Sequence, residues 1–145
     1  MSERNHMAVL KVDHIAVVVA DMSAALHFWR DALGLPLEAT ETNDTEAVDV
    51  AFLPVGETRM ELLKPTTDDS GIAKYLEKRG AGMHHVCVAV DDIEIAMTQL
   101  AEREVELINE TPRTREDGTR YAFIHPKSTG GVLVELYEYE AGTDS

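Results

Sequence analysis

Cysteine is nearly absent. The one present, Cys87, excludes an internal disulfide and suits a reducing compartment. No partner arrangement marks it as a nucleophile, so it reads as a small core residue. Long apolar runs are missing too: no stretch of about 18 apolar residues exists to span a membrane. The opening residues, "MSERNHMAVLK", lack the apolar segment and small-residue cleavage site of a signal peptide, so a cytoplasmic location is expected. Positive charge is scarce: 13 Lys and Arg stand against 27 Asp and Glu, a net charge of −14. Such a surface repels nucleic acid and anionic membrane, and neither is an expected partner. Any anionic ligand must instead be met by a local cluster of cations.

What is present is a repeat. "HIAVVVADMSAAL" begins at His14 and "HVCVAVDDIEIAM" at His85, an offset of 71 residues in a chain of 145. Each copy reads as a strand, an acidic residue and a helix. Asp21 or Ser23 in the first copy, and Asp91 or Asp92 in the second, suit the helix N-cap, where a short side-chain oxygen accepts a free backbone N–H. The apolar spacing of Leu26, Trp29 and Leu33, and of Ile93, Met97 and Leu100, predicts helices over about 23–32 and 93–103. Three strand-like runs follow each helix: "LPLEAT", "VDVAFLPV" and "RMELLKP", then "VELINE", "RYAFIHP" and "GVLVELYEY". Each half is therefore β-α-β-β-β. "DDSGIAKYLEKRGAG" predicts a short joining helix with Ile72, Tyr75 and Leu76 inward, and no low-complexity linker parts the halves. The expected organisation is a leader over residues 1–8, one α+β domain over 9–138 with modules at about 9–66 and 82–138, and a tail over 139–145.

Strand alternation then sorts the polar residues. His14 shares a face with Ala16 and Val18, and His85 with Cys87 and Ala89. Small neighbours leave space beside an imidazole, whereas the bulkier faces suit packing against helices. Glu61 of "RMELL" and Glu135 of "LVELY" match at an offset of 74 and interrupt otherwise largely apolar strands. A buried carboxylate is costly unless paired or bound to a cation. A lone strand-end histidine is usually a satisfied polar group, and a lone strand glutamate a solvated one. His matching His and Glu matching Glu across two halves points instead to ligands of a divalent metal such as Zn, Co, Ni, Mn or Fe(II). His84 aligns with Asp13 and reads as a lining group, His27 as a solvated helix residue, and His6 as part of the leader.

These features resemble the vicinal oxygen chelate superfamily, whose paired βαβββ modules form a cupped mixed sheet around a metal site. Within it, "VDHIAVVVADMSAALHFWRDALGL", "VAFLPVGETRMELLKP", "IAKYLEKRGAGMHHVCVAVDDI" and "FIHPKSTGGVLVELYE" are similar to the methylmalonyl-CoA epimerase family over about Val9 to Glu138. The resemblance implies metal ligands at His14, Glu61, His85 and Glu135, one Co, Zn, Mn or Ni ion, an acyl-CoA substrate and a homodimer. It implies that Glu135 also exchanges a proton with the substrate. A second acid/base is expected at Asp49 or Glu46 on "TEAVDVAFL", with His84 and Lys64 as further candidates. His84 is also an expected substrate contact. For the phosphates of CoA, Lys127 of "HPKSTGG", with Arg113, Arg115 and Arg120, forms the densest basic patch. An His/Glu/His/Glu set also suits a glyoxalase I-type lyase, which stands as the alternative. A drug-sequestering binding module ranks last, because such relatives usually lose these ligands.

Overall fold

The computed structural model describes residues 7–139. The described residues form two compact units, one of residues 14–84 and one of residues 85–139 with 7–13. In the first unit, β1 (Val9–Val18) enters from the other unit and runs parallel to β4 (Thr58–Pro65), with Ala16 opposite Glu61. β3 (Val48–Val55) pairs antiparallel with β4 and with β2 (Ala39–Asn43), giving the order β2-β3-β4-β1. Gly56, at φ 60°, lets the β3–β4 turn close tightly, since a residue with a Cβ resists that left-handed backbone. The second unit repeats the plan. β5 (Gly82–Val90) runs parallel to β8 (Val134–Glu138) from Val86 to Ala89, with Cys87 opposite Glu135. β7 (Arg120–Ile124) pairs antiparallel with β8 and with β6 (Arg113–Thr114), giving β6-β7-β8-β5.

The helices follow their capping signals. α1 (Met22–Leu26) starts at Asp21, whose side chain accepts from the Ala24 N–H, and α3 (Ile93–Glu102) starts at Asp92, which accepts from Ile95. Of the alternatives in each copy, Asp21 and Asp92 are therefore the caps, and they stand 71 residues apart like the histidines. α1 continues as wider-wound turns from His27 to Ala32, where the Leu33 N–H reaches the Phe28 carbonyl at 2.8 Å. The joining helix, α2 (Gly71–Arg79), is capped by Ser70 and ends at Gly80, whose φ of 78° stops the winding.

Each unit has its own core. In the first, Leu26, Met22 and Trp29 pack on Val17, Ala51, Leu53 and Leu62, on one face of the sheet. Ala16, Val48, Val50 and Leu63 lie on the opposite face, with Ile72 of α2 against them. In the second unit, Ile93, Ala96 and Met97 of α3 pack on Val90, Ala122, Ile124 and Leu136. Period-2 strands meeting period-3.6 helices produce this division, as the bulky strand faces predict.

Two expectations change. "VELINE" forms no strand; only Leu107 bridges to Ile124, and the partner of β7 is the two-residue β6 further on. The second strand of the first half likewise starts at Ala39, four residues later than "LPLEAT" suggests. In the expected leader, Met7 and Ala8 donate to Gln99 and Asp91 at 3.2 and 2.9 Å, and Met7 packs on the second unit's core. Residues 1–6, including His6, and residues 140–145 of the expected tail lie outside the described residues.

Candidate functional site

Each unit builds the same polar pair. In the first, β1 presents His14 beside Ala16 on the face away from α1, and the parallel register sets Glu61 opposite Ala16. The result is His14 Nδ1 at 3.4 Å from Glu61 Oε2. In the second, β5 presents His85 beside Cys87, and β8 sets Glu135 opposite Cys87. His85 Nε2 lies 3.2 Å from Glu135 Oε1. Both histidines are buried, and Glu135 is 2% exposed. An imidazole two residues along from the position facing a carboxylate is thus the repeated unit of the site.

The match extends to residues that strand and helix patterning passed over. Phe52 stands opposite Glu61 across β3–β4, and Phe123 stands opposite Glu135 across β7–β8. These phenylalanines are again 71 residues apart, a coincidence visible in the sequence. Phe123 meets the His85 ring edge-to-face with centroids 5.8 Å apart, so it fixes the plane of that imidazole. Each carboxylate also holds an arginine. Arg59 Nη2 is 3.3 Å from Glu61 Oε2, and Arg59 lies over Phe52 at 5.1 Å. Arg115 Nη2 is 3.0 Å from Glu135 Oε2, and its guanidinium stands 4.0 Å from the Tyr121 ring centroid. Alternation places Arg59 on the Glu61 face. Arg115, in the β6–β7 loop, carries no periodic signal that could have revealed it.

Electrostatics in the second unit follow from this packing. Burial works against the Arg115 charge, yet Tyr137 and Glu135 outweigh it and hold its guanidinium above its ordinary range. Burial pushes the Tyr137 hydroxyl far up, with Arg115 only partly offsetting it. Glu135 accordingly sits between a cation and an imidazole, with each oxygen engaged.

Other expected residues are placed differently. Asp49 lies on the β3 face that carries Ala51 and Leu53 toward α1, whereas Glu61 and its cross-strand partner Phe52 lie on the other. Its carboxylate accepts from the Thr42 hydroxyl at 2.7 Å, and Lys64, directly across the ladder, shares its face. Asp49, expected as a second acid/base, is thus turned by period-2 alternation to the strand face opposite Glu61. Glu46 sits in the β2–β3 turn, its backbone N–H donating to Asn43 Oδ1 at 3.0 Å. His84 meets Tyr75 edge-to-face at 4.8 Å, off the His85–Glu135 pair. The basic patch around Lys127 is largely committed to carboxylates. Lys127 Nζ is 3.9 Å from Glu106, Arg120 bridges Glu94 and Glu138 at 2.6 and 3.3 Å, and Arg115 holds Glu135.

A buried imidazole nitrogen and a carboxylate oxygen within about 3.5 Å of each other are a donor set that a divalent metal accepts. Both units supply one, and in each the strand ladder holds the two side chains on paired backbone.

Comparison with known proteins gives consistent results. Residues 13–123 match the Glyoxalase/Bleomycin resistance protein/Dioxygenase superfamily. The mitochondrial methylmalonyl-CoA epimerase of Bos taurus is 39% identical over 127 residues, covering 87% of this chain and 73% of that protein. An ethylmalonyl-CoA/methylmalonyl-CoA epimerase of Cereibacter sphaeroides is 36% identical, covering 87% of this chain and 96% of that protein. A Streptomyces coelicolor methylmalonyl-CoA epimerase variant, solved with 2-nitronate-propionyl-CoA, has a TM-score of 0.82 at 31% identity, covering 95% of this chain and 99% of that one.

Proposed function

This chain belongs to the Glyoxalase/Bleomycin resistance protein/Dioxygenase superfamily, and on that premise we propose that it interconverts the (R) and (S) forms of methylmalonyl-CoA. The observation that carries the reading is the repeated buried pair, His14 with Glu61 and His85 with Glu135. We assign these four side chains as ligands of one divalent ion: Co, Zn, Mn or Ni. Nitrogen and oxygen donors in that ratio suit such ions. When bound, the ion supplies Lewis-acid stabilisation of charge on the thioester oxygen as the C2 proton leaves.

The chain's own residues move the proton. Epimerisation takes the C2 proton from one face of the substrate and returns one to the opposite face of the resulting planar enolate. Glu135 is assigned to one face, because Arg115 and His85 fix the direction of its lone pairs. For the other face, Asp49 is replaced by Glu61, which has the same strand position, the same facing phenylalanine and the same paired arginine. Phe52 and Phe123 beside the carboxylates limit water, which guards the enolate against stray protonation. The proposed assembly is a cytoplasmic homodimer. It is supported by exposed apolar side chains at Val9 and Leu10, 56% and 60% accessible, and by the buried free thiol of Cys87.

The test is deuterium incorporation at C2 of methylmalonyl-CoA in heavy water, with added metal and with chelator. Metal-dependent exchange is expected. No exchange, alongside turnover of a glutathione hemithioacetal, would replace this reading with the glyoxalase one.

A further inference from the structure

The arginine beside Glu135 has donors to spare. Nη2 and Nε form one edge of the planar guanidinium, the edge that ordinarily grips both oxygens of a single carboxylate. In Arg115 that edge holds only one: Nη2 is 3.0 Å from Glu135 Oε2, while Oε1 lies 3.2 Å from His85 Nε2. Among the described residues, Nε is buried with no hydrogen-bond partner. Nη1 has none there either, and it is not buried; it belongs to the open part of a side chain that is 33% exposed. Burying an unpaired donor is costly, so a guanidinium kept in this position is held there for another reason.

The surroundings show how it is held. Tyr121 and Tyr137 face each other across β7–β8, two residues along from the Phe123–Glu135 pair, so alternation puts all four on one face. The guanidinium stands 4.0 Å from the Tyr121 centroid and 5.7 Å from that of Tyr137. Tyr121 meets Phe123 edge-to-face at 6.1 Å, and Phe123 meets His85 at 5.8 Å. The aromatic wall that sets the imidazole thus also sets Arg115, with its outer nitrogen open. Arg120 shows the completed form of this arrangement. Its Nη2 is 2.6 Å from Glu94 and its Nη1 3.3 Å from Glu138, one guanidinium between two carboxylates. Among the described residues, Arg115 has only the first of its two.

The acyl-CoA reading identifies the second. Glu135 is assigned to the C2 proton, and the free carboxylate of the substrate is bonded directly to C2. A guanidinium that already holds Glu135 is therefore placed to meet that carboxylate. We propose that Arg115 is a substrate-binding residue whose Nη1 donates to the free carboxylate of methylmalonyl-CoA while Nη2 holds Glu135. One side chain then aligns the base with the C2 substituent and selects 2-carboxyacyl thioesters over plain acyl thioesters. The proposal rests on the epimerase reading, and it separates Arg115 from the basic patch expected for the CoA phosphates.

The experiment compares malonyl-CoA with propionyl-CoA, which has a methyl group in place of that carboxylate. Both are titrated calorimetrically into the full chain as wild type, R115M and R115K, with metal content and melting curves read in parallel. Wild type should bind malonyl-CoA the more tightly. R115M should lose about tenfold for malonyl-CoA and raise KM for methylmalonyl-CoA about as much, with propionyl-CoA binding unchanged. R115K keeps the charge but not the fork, and should fall between. If R115M does not fold, R115K decides, and malonyl-CoA binding equal to wild type would then overturn the proposal. Equal losses for both thioesters, no loss for either, a fall in kcat at unchanged KM, or a wild type that binds both thioesters equally would also overturn it. Absence of C2 exchange in wild type would fail the epimerase reading instead, and the comparison of the two thioesters would still decide the role of Arg115.

Discussion

Replacing Glu135 by Gln separates its two assigned roles from mere structure. The amide keeps the shape and one acceptor oxygen, which can still receive the Arg115 bond now made at 3.0 Å. It loses the charge and turns a donor toward His85 Nε2, 3.2 Å away. A charge-assisted hydrogen bond contributes about 1.5–3 kcal/mol when buried. The Arg115 side chain is 33% exposed, so solvent screens its share, and a net loss of about 1–2 kcal/mol is expected. That is small against the roughly 5–15 kcal/mol of a typical domain, so the variant folds. Its melting temperature should fall by a few degrees, at about 2–4 °C per kcal/mol. A lost proton-transfer group costs about 10²–10⁴-fold in rate, far beyond what this destabilisation produces. C2 deuterium exchange at saturating metal, with melting curves in parallel, is the assay. Exchange within about threefold of wild type would refute the assignment of Glu135 to proton transfer.

His85→Ala should abolish metal binding and His84→Ala should largely spare it, read by metal content after dialysis; equal loss would break the repeat alignment on which the ligands rest. Asp49→Asn should leave C2 exchange within about twofold of wild type and cost about 1 kcal/mol of stability through the Thr42 bond, measured by denaturant titration; a hundredfold loss of exchange would restore Asp49 to the reaction. Chelation of a metal-loaded sample should lower the melting temperature and stop exchange, with both restored by Co, Zn, Mn or Ni; an unchanged melting curve would contradict a bound ion. Hydrogen bonds from Thr119 hold the Asp117 carboxyl below its ordinary range, so its contribution is present above pH about 3.9 and lost as pH falls through the lowered folded value. Asp117→Asn should therefore melt lower than wild type at pH 6 with the gap closing in acid, and a gap that widens in acid would reverse that sign.

What could be read in advance was whatever the duplication wrote twice. His14 and His85, Asp21 and Asp92, and Glu61 and Glu135 each recur, so a coincidence at one position is corroborated at another. The strand faces follow from period 2 alone, and the structure keeps them: Val17 packs with the α1 core while Ala16 does not. "VELINE" misled because alternation measures a side chain's burial preference, not whether a backbone ladder continues; Ile108 still donates to the Phe123 carbonyl, but at Asn109 a side-chain oxygen takes the Phe123 N–H, and strand pairing with β7 resumes at Arg113. Asp49 misled for the opposite reason. Its chemistry suited an acid/base role, but no second copy tested its register, and one step along β3 reverses the face. Applied to β3 against β4, the same alternation that sorted the histidines points to Phe52 as the residue beside Glu61 and sets Asp49 on the other face. Arg115 lies beyond this reasoning because a loop places it beside Glu135, which neither period encodes. The legible part of this site is thus the part carried on paired strands of both modules, and the residues that tune or extend it stand on elements present once.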